Sequence, residues 1–132
     1  MKSVILVICF LSVHGMSATL YAKNNSPVEE KPVFVHAVYF WLHDHVTEGQ
    51  KAEFVLLLRS FKRIKSVKSI YIGPPAGTPR TVVDNSYDVA LIVGFRDKAG
   101  HDYYQAHRIH TDAIKIFDGW IRDIKIYDMV QE

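Results

Sequence analysis

The sequence predicts an α+β domain with the ferredoxin-like order β-α-β-β-α-β, and three observations carry that prediction. Four stretches have strand composition at strand length: VFVHAVYFWL, VKSIYIG, YDVALIVGF and DIKIYDMV. Helical patterns separate the first from the second and the third from the fourth. The first and third are apolar on both faces, whereas the second and fourth carry Lys68, Ser69, Lys125 and Asp128. A four-stranded antiparallel sheet with the first and third strands central and the other two at its edges follows.

Taken in order, Lys2 precedes an uncharged run from Val4 to Val13 and then small residues at Gly15, Ser17, Ala18 and Ala22. That is the pattern of a secretory signal peptide over residues 1–22, cut after Ala22 or Ala18, and the run is too short for a membrane span. The expected location is therefore periplasmic or extracellular, with no stable membrane anchor after cleavage. KNNSPVEEKP, residues 23–32, reads as a flexible lead-in, and the domain runs over 33–132. Val33 to Leu42 is the first strand. Thr47 and Gln50 form a capping box that opens the first helix. Phe54, Leu57, Leu58, Phe61 and Ile64 recur at spacings of three and four along it. Arg59, Lys62, Arg63, Lys65 and Lys68 gather toward its end, where cations suit the helix dipole.

Val67 to Gly73 is the second strand, and Pro74 to Ser86 is a long loop with three prolines. Tyr87 to Phe95 is the third strand. DKAGHDYYQAH reads as the second helix, with a further turn or two through Ala113, Ile114 and Phe117, and Asp123 to Val130 is the last strand.

Cys9 is the only cysteine and lies in the leader, so the mature chain has no disulfide. Loss of Lys2 leaves 15 basic against 14 acidic residues, which offers no case for nucleic-acid binding. The strands predict a partner of another kind. Two helices cover one face of such a sheet, yet Val35, Ala37, Tyr39 and Trp41 make the other face apolar as well. About six large side chains at roughly 1.5–3 kcal/mol each give about 9–18 kcal/mol per chain. Twice that exceeds an association cost of about 4–15 kcal/mol, so a homodimer is expected.

HAVYFWL, VTEGQKAEF, VKSIYIG, YDVALIVGF, YYQAHRIH and IKIYDMV together identify a family: from Val33 to Val130 the chain resembles the stress-responsive A/B barrel (Dabb) proteins. The resemblance implies a dimeric α+β barrel with a cavity between sheet and helices. Some plant members are cyclases of linear polyketides, in which a histidine of the second-helix segment works beside a tyrosine while an opening-strand histidine lines the pocket. Position by position these are His110, Tyr104 and His36. One feature departs from the family: the usual H-P-x-H turn reads His107-Arg108-Ile109-His110, and Arg108 is expected to continue the helix and turn His110 away from the cavity. Some relatives hold magnesium on main-chain carbonyls that correspond to Phe61, Ile64 and Val67. No side-chain signature of a cofactor or metal is present.

The chemistry of these residues is coherent. A histidine can take and return a proton near neutral pH, and a tyrosine can donate to an enolate oxygen. Phe40 and Trp41 would exclude water, His107 shares a helical face with His110, and Arg80 in the long loop suits an acidic ligand. The same histidines also fit a helix end, and His36 fits a hydrogen-bonded core position. His43 and His45 flank Asp44 in a turn, short of the three or four ligands zinc needs, and His101 is expected to be exposed. Three readings result: a binder of a small apolar or aromatic molecule, a lyase or isomerase using His110, and a non-catalytic structural stress protein.

Overall fold

Alternation of buried and half-buried residues from Phe34 to Phe40 makes the first strand two-sided, with each face covered differently. The structure, a computed structural model, describes residues 33–132. The expected leader and lead-in lie outside the described residues. Strands β1 (Phe34–Leu42), β2 (Val67–Gly73), β3 (Val89–Phe95) and β4 (Ile121–Val130) are interleaved with helices α1 (Glu48–Ser60), α2 (Lys98–Ala106) and α3 (Arg108–Phe117). The sheet runs β2-β3-β1-β4 with every pair antiparallel. The central and edge strands are those the sequence predicts.

Local chemistry sets the elements. The Gln50 N–H donates to Thr47 Oγ1 at 3.2 Å and the Thr47 N–H to Gln50 Oε1 at 3.0 Å, so the capping box opens α1. Asp97 caps α2 by accepting the Gly100 N–H at 2.8 Å. The expected turn or two after α2 is instead a separate ten-residue helix, α3. No described helix is long and apolar enough to cross a membrane.

On the helix side of the sheet, Phe34, Val38, Phe40, Leu91, Val93 and Phe95 are buried. They pack with Phe54 and Leu58 of α1, Phe61 and Ile64 beyond it, Tyr104 of α2 and Phe117 of α3. Phe40, Phe54 and Phe117 meet edge to face at 4.8–6.5 Å. Opposite residues in the strand register share a face, so Ala37, Ile92, Tyr71 and Tyr127 lie together on the other side. Tyr71, Tyr127 and Met129 are more than half exposed there. β4 pairs only with β1 and is exposed almost throughout.

Candidate functional site

A cavity of about 210 Å³ opens between the helix side of the sheet and the helices. Its polar wall is His36 from β1, Tyr104 and Gln105 from α2, His110 from α3, and Asp118 just beyond α3. Phe40, Leu58, Phe61, Leu91 and Phe117 supply most of the apolar wall, while Ile124 and Ile126 of β4 border it and are about half exposed. The interior is therefore a greasy pocket with one polar side, as small-molecule sites are.

The break between α2 and α3 delivers His110 to this pocket. His107 takes an extended backbone (φ −72°, ψ 139°), ends α2, and caps α3 by accepting the Ile109 N–H on its Nδ1 at 3.1 Å. A proline is thus unnecessary for the break, and the expectation that Arg108 would continue the helix and turn His110 away is corrected. Arg108 sits at the first position of α3 and pairs with Asp112 at 3.1 Å on the exposed side. The His110 ring lies 4.4 Å from the Tyr104 ring and is buried.

Hydrogen bonds fix the tautomers. His110 Nδ1 is 3.2 Å from the Gln105 carbonyl oxygen, which only accepts, so Nδ1 carries the proton and Nε2 keeps its lone pair. His36 Nδ1 is 2.6 Å from Asp128 Oδ1, its cross-strand partner, and again Nε2 is left free. Burial holds both imidazoles below the ordinary histidine range. The Gln105 carbonyl partly offsets this at His110, as Asp128 does at His36. The His36–Asp128 contact is 2.6 Å long, and burial outweighs the carboxylate in setting the direction of the shift. Burial pushes the Tyr104 phenol up, so it remains a donor. Among the described residues nothing hydrogen-bonds its hydroxyl.

Of the residues singled out in the sequence, His36, Phe40, Tyr104 and His110 come together in the cavity wall. Trp41, His107 and Arg80 do not. Trp41 lies on the opposite face, in an open cavity of about 450 Å³ with Tyr39, Tyr87 and Tyr127, and its Nε1 donates to Ser86 Oγ at 3.1 Å. His107 is occupied as a cap, and Arg80 stands exposed in the long loop. His43 and His45 stack at 5.1 Å, and among the described residues no third ligand joins them.

Two residues of this region were missed. His101, expected to be exposed, has a side chain only 12% exposed, stacked on Phe34 at 4.7 Å and 4.9 Å from the His36 ring. Its spacing of three before Tyr104 on one helix was the available signal. In the sequence Asp128 is only an edge charge; the antiparallel register of β1 with β4 brings it opposite His36.

The carbonyls of Phe61 and Ile64 already accept the N–H groups of Ile64 and Val67 at 3.0 and 2.9 Å. The turn contributes Lys62, Arg63 and Lys65 and no carboxylate, a cationic setting without a hard anionic ligand for magnesium.

Several solved structures share the fold. A dimeric ferredoxin-like protein of unknown function from Thermobifida fusca is 22% identical, with a TM-score of 0.64 over 74% of this chain and 90% of its own. A hydroxynitrile lyase from Passiflora edulis is 14% identical, with a TM-score of 0.67 over 76% and 95%. A Dabb family protein with a ferredoxin-like fold from Mesorhizobium loti is 16% identical, with a TM-score of 0.62 over 75% and 96%. No curated protein sequence matches the chain. A profile described as the stress responsive A/B barrel domain matches residues 34–131, nearly the whole described region. The chain belongs to the stress responsive A/B barrel domain family.

Proposed function

We propose that this is an exported homodimer that takes a small apolar or aromatic molecule with one polar oxygen into its cavity and moves a proton on it through His110. One observation carries the reading: the Gln105 carbonyl holds His110 with Nε2 unprotonated, beside a protonated Tyr104, in a mostly apolar pocket. His110 Nε2 accepts the proton from the substrate, and the Tyr104 hydroxyl donates to the oxygen on which the electron pair settles. The proton then returns from Nε2 to the product. A hydroxynitrile lyase uses the same fold, which makes lyase chemistry compatible with the scaffold.

Size narrows the substrate. An apolar cavity of about 150 Å³ holds benzene, so about 210 Å³ suits one ring with a short substituent rather than an extended polyketide chain. The dimer reading rests on the apolar face bearing Ala37, Ile92, Tyr71 and Tyr127, and solved neighbours are described as dimeric. Export rests on Lys2 and the run Val4 to Val13; Met1 retained in the soluble protein would overturn it.

The test is proton–deuterium exchange α to the carbonyl of a bound one-ring aryl ketone, followed by NMR in deuterated buffer. The wild type should bind and catalyse exchange, and His110→Ala should bind without exchange. Equal exchange by both proteins removes the catalytic role and leaves a carrier, the second reading, which the mostly apolar lining favours.

A further inference from the structure

We infer that His36, His101 and Asp128 form a binding site for one divalent first-row transition-metal ion, behind the cavity wall and open to solvent at β4. The three residues come from β1, α2 and β4, and one donor atom from each lies within 4.8 Å of the other two. An ion with bonds of about 2.0–2.2 Å needs donors about 3–3.5 Å apart. His36 Nδ1 and Asp128 Oδ1, now 2.6 Å apart, would open by a few tenths of an ångström, and His101 would close by about an ångström.

The surroundings suit such an ion. Phe34 stacks on the His101 ring at 4.7 Å, the Gln105 amide nitrogen lies 3.0 Å from its Nε2 and Asp102 Oδ1 3.4 Å from its Nδ1; one of these two nitrogen contacts gives way to the ion, and the other holds the ring. Asp128 is 43% exposed, which gives the ion an entry path and room for bound water, while His36 is 5% exposed. Two imidazoles and one carboxylate with open positions select ions of the zinc, cobalt and iron(II) class over calcium or magnesium, which take oxygen shells. In the ion-free protein the same residues are a hydrogen-bonded pair beside a packed ring.

Occupancy reaches the cavity through His36. Coordination at Nδ1 in place of the Asp128 hydrogen bond leaves the imidazole neutral only if its proton moves to Nε2. His36 then changes from acceptor to donor. The ion site is independent of proton transfer at His110, and its test does not require turnover.

The experiment is titration of the metal-stripped folded protein with Co²⁺, read by visible d–d absorption and by paramagnetic broadening of the histidine NMR signals, with Zn²⁺ as competitor. The expected result is one saturable equivalent per chain, displaced by Zn²⁺, with the His36 and His101 signals broadened first. His101→Gln and Asp128→Asn should each weaken it by at least about tenfold, whereas His43→Gln and His110→Gln should not. Absence of a saturable band, first broadening at His43 and His45, or unchanged affinity in both ligand variants overturns the site. The broadening pattern needs no variant, so a misfolded mutant cannot hide the answer.

Discussion

His107 Nδ1 accepts the backbone N–H of Ile109 at 3.1 Å, and this one bond starts α3. Because His107 also ends α2, the bond sets the angle at which His110 enters the cavity. His107→Ala should cost about 0.5–2 kcal/mol in urea unfolding, the usual loss for an N-cap, and His107→Ser should recover most of it. Equal midpoints for the alanine variant and the wild type would show that the turn is held by something else.

His110 titrates below the ordinary histidine value because it is buried, so the unfolded chain takes up the proton first as pH falls. Its contribution to stability is complete above about pH 6.5 and is lost as pH falls from there through the lowered folded value. Urea midpoints at about pH 7.5 and about pH 5 should therefore drop more in the wild type than in His110→Gln. Parallel drops would mean that His110 is not held neutral in the folded state.

Much of this was legible in the sequence, for identifiable reasons. Central strands apolar on both faces and the polarity of Lys68 and Lys125 at the edges carry the strand order, and Thr47 with Gln50 marks the start of α1, because these are local signals. His36, Tyr104 and His110 were found through the family resemblance, and the structure places them together. The break at His107 was misread because a histidine cap leaves a fainter mark than proline. His101 and Asp128 went unseen because they meet His36 only through tertiary packing and strand register, at sequence separations of 65 and 92. Trp41 was placed beside Phe40 in the cavity, although successive strand residues face opposite ways.

Ile92 sits at the middle of the open sheet face, level with Ala37 on β1 and Tyr71 on β2. In a face-to-face dimer a lysine there would bury two like charges in an apolar interface, a cost well above that of losing the isoleucine. Ile92→Lys should therefore sediment as a folded monomer at micromolar concentration, and the wild type should sediment as a dimer. A monomeric wild type, or a variant that still pairs, would exclude that face as the interface.

Tyr104→Phe separates the needs of folding from those of function. The ring is fully buried, 5.6 Å from Phe61, 5.1 Å from Phe95 and 4.4 Å from His110, and phenylalanine keeps all three contacts. No hydrogen bond joins the hydroxyl to another described residue, so its removal breaks no internal hydrogen bond. The variant should be about as stable as the wild type. Affinity for a one-ring ketone should fall by about 0.5–1.5 kcal/mol, the worth of one hydrogen bond, and exchange α to its carbonyl should fall further. A variant that unfolds early while its residual ligand affinity is normal would assign the hydroxyl to the core rather than to the substrate.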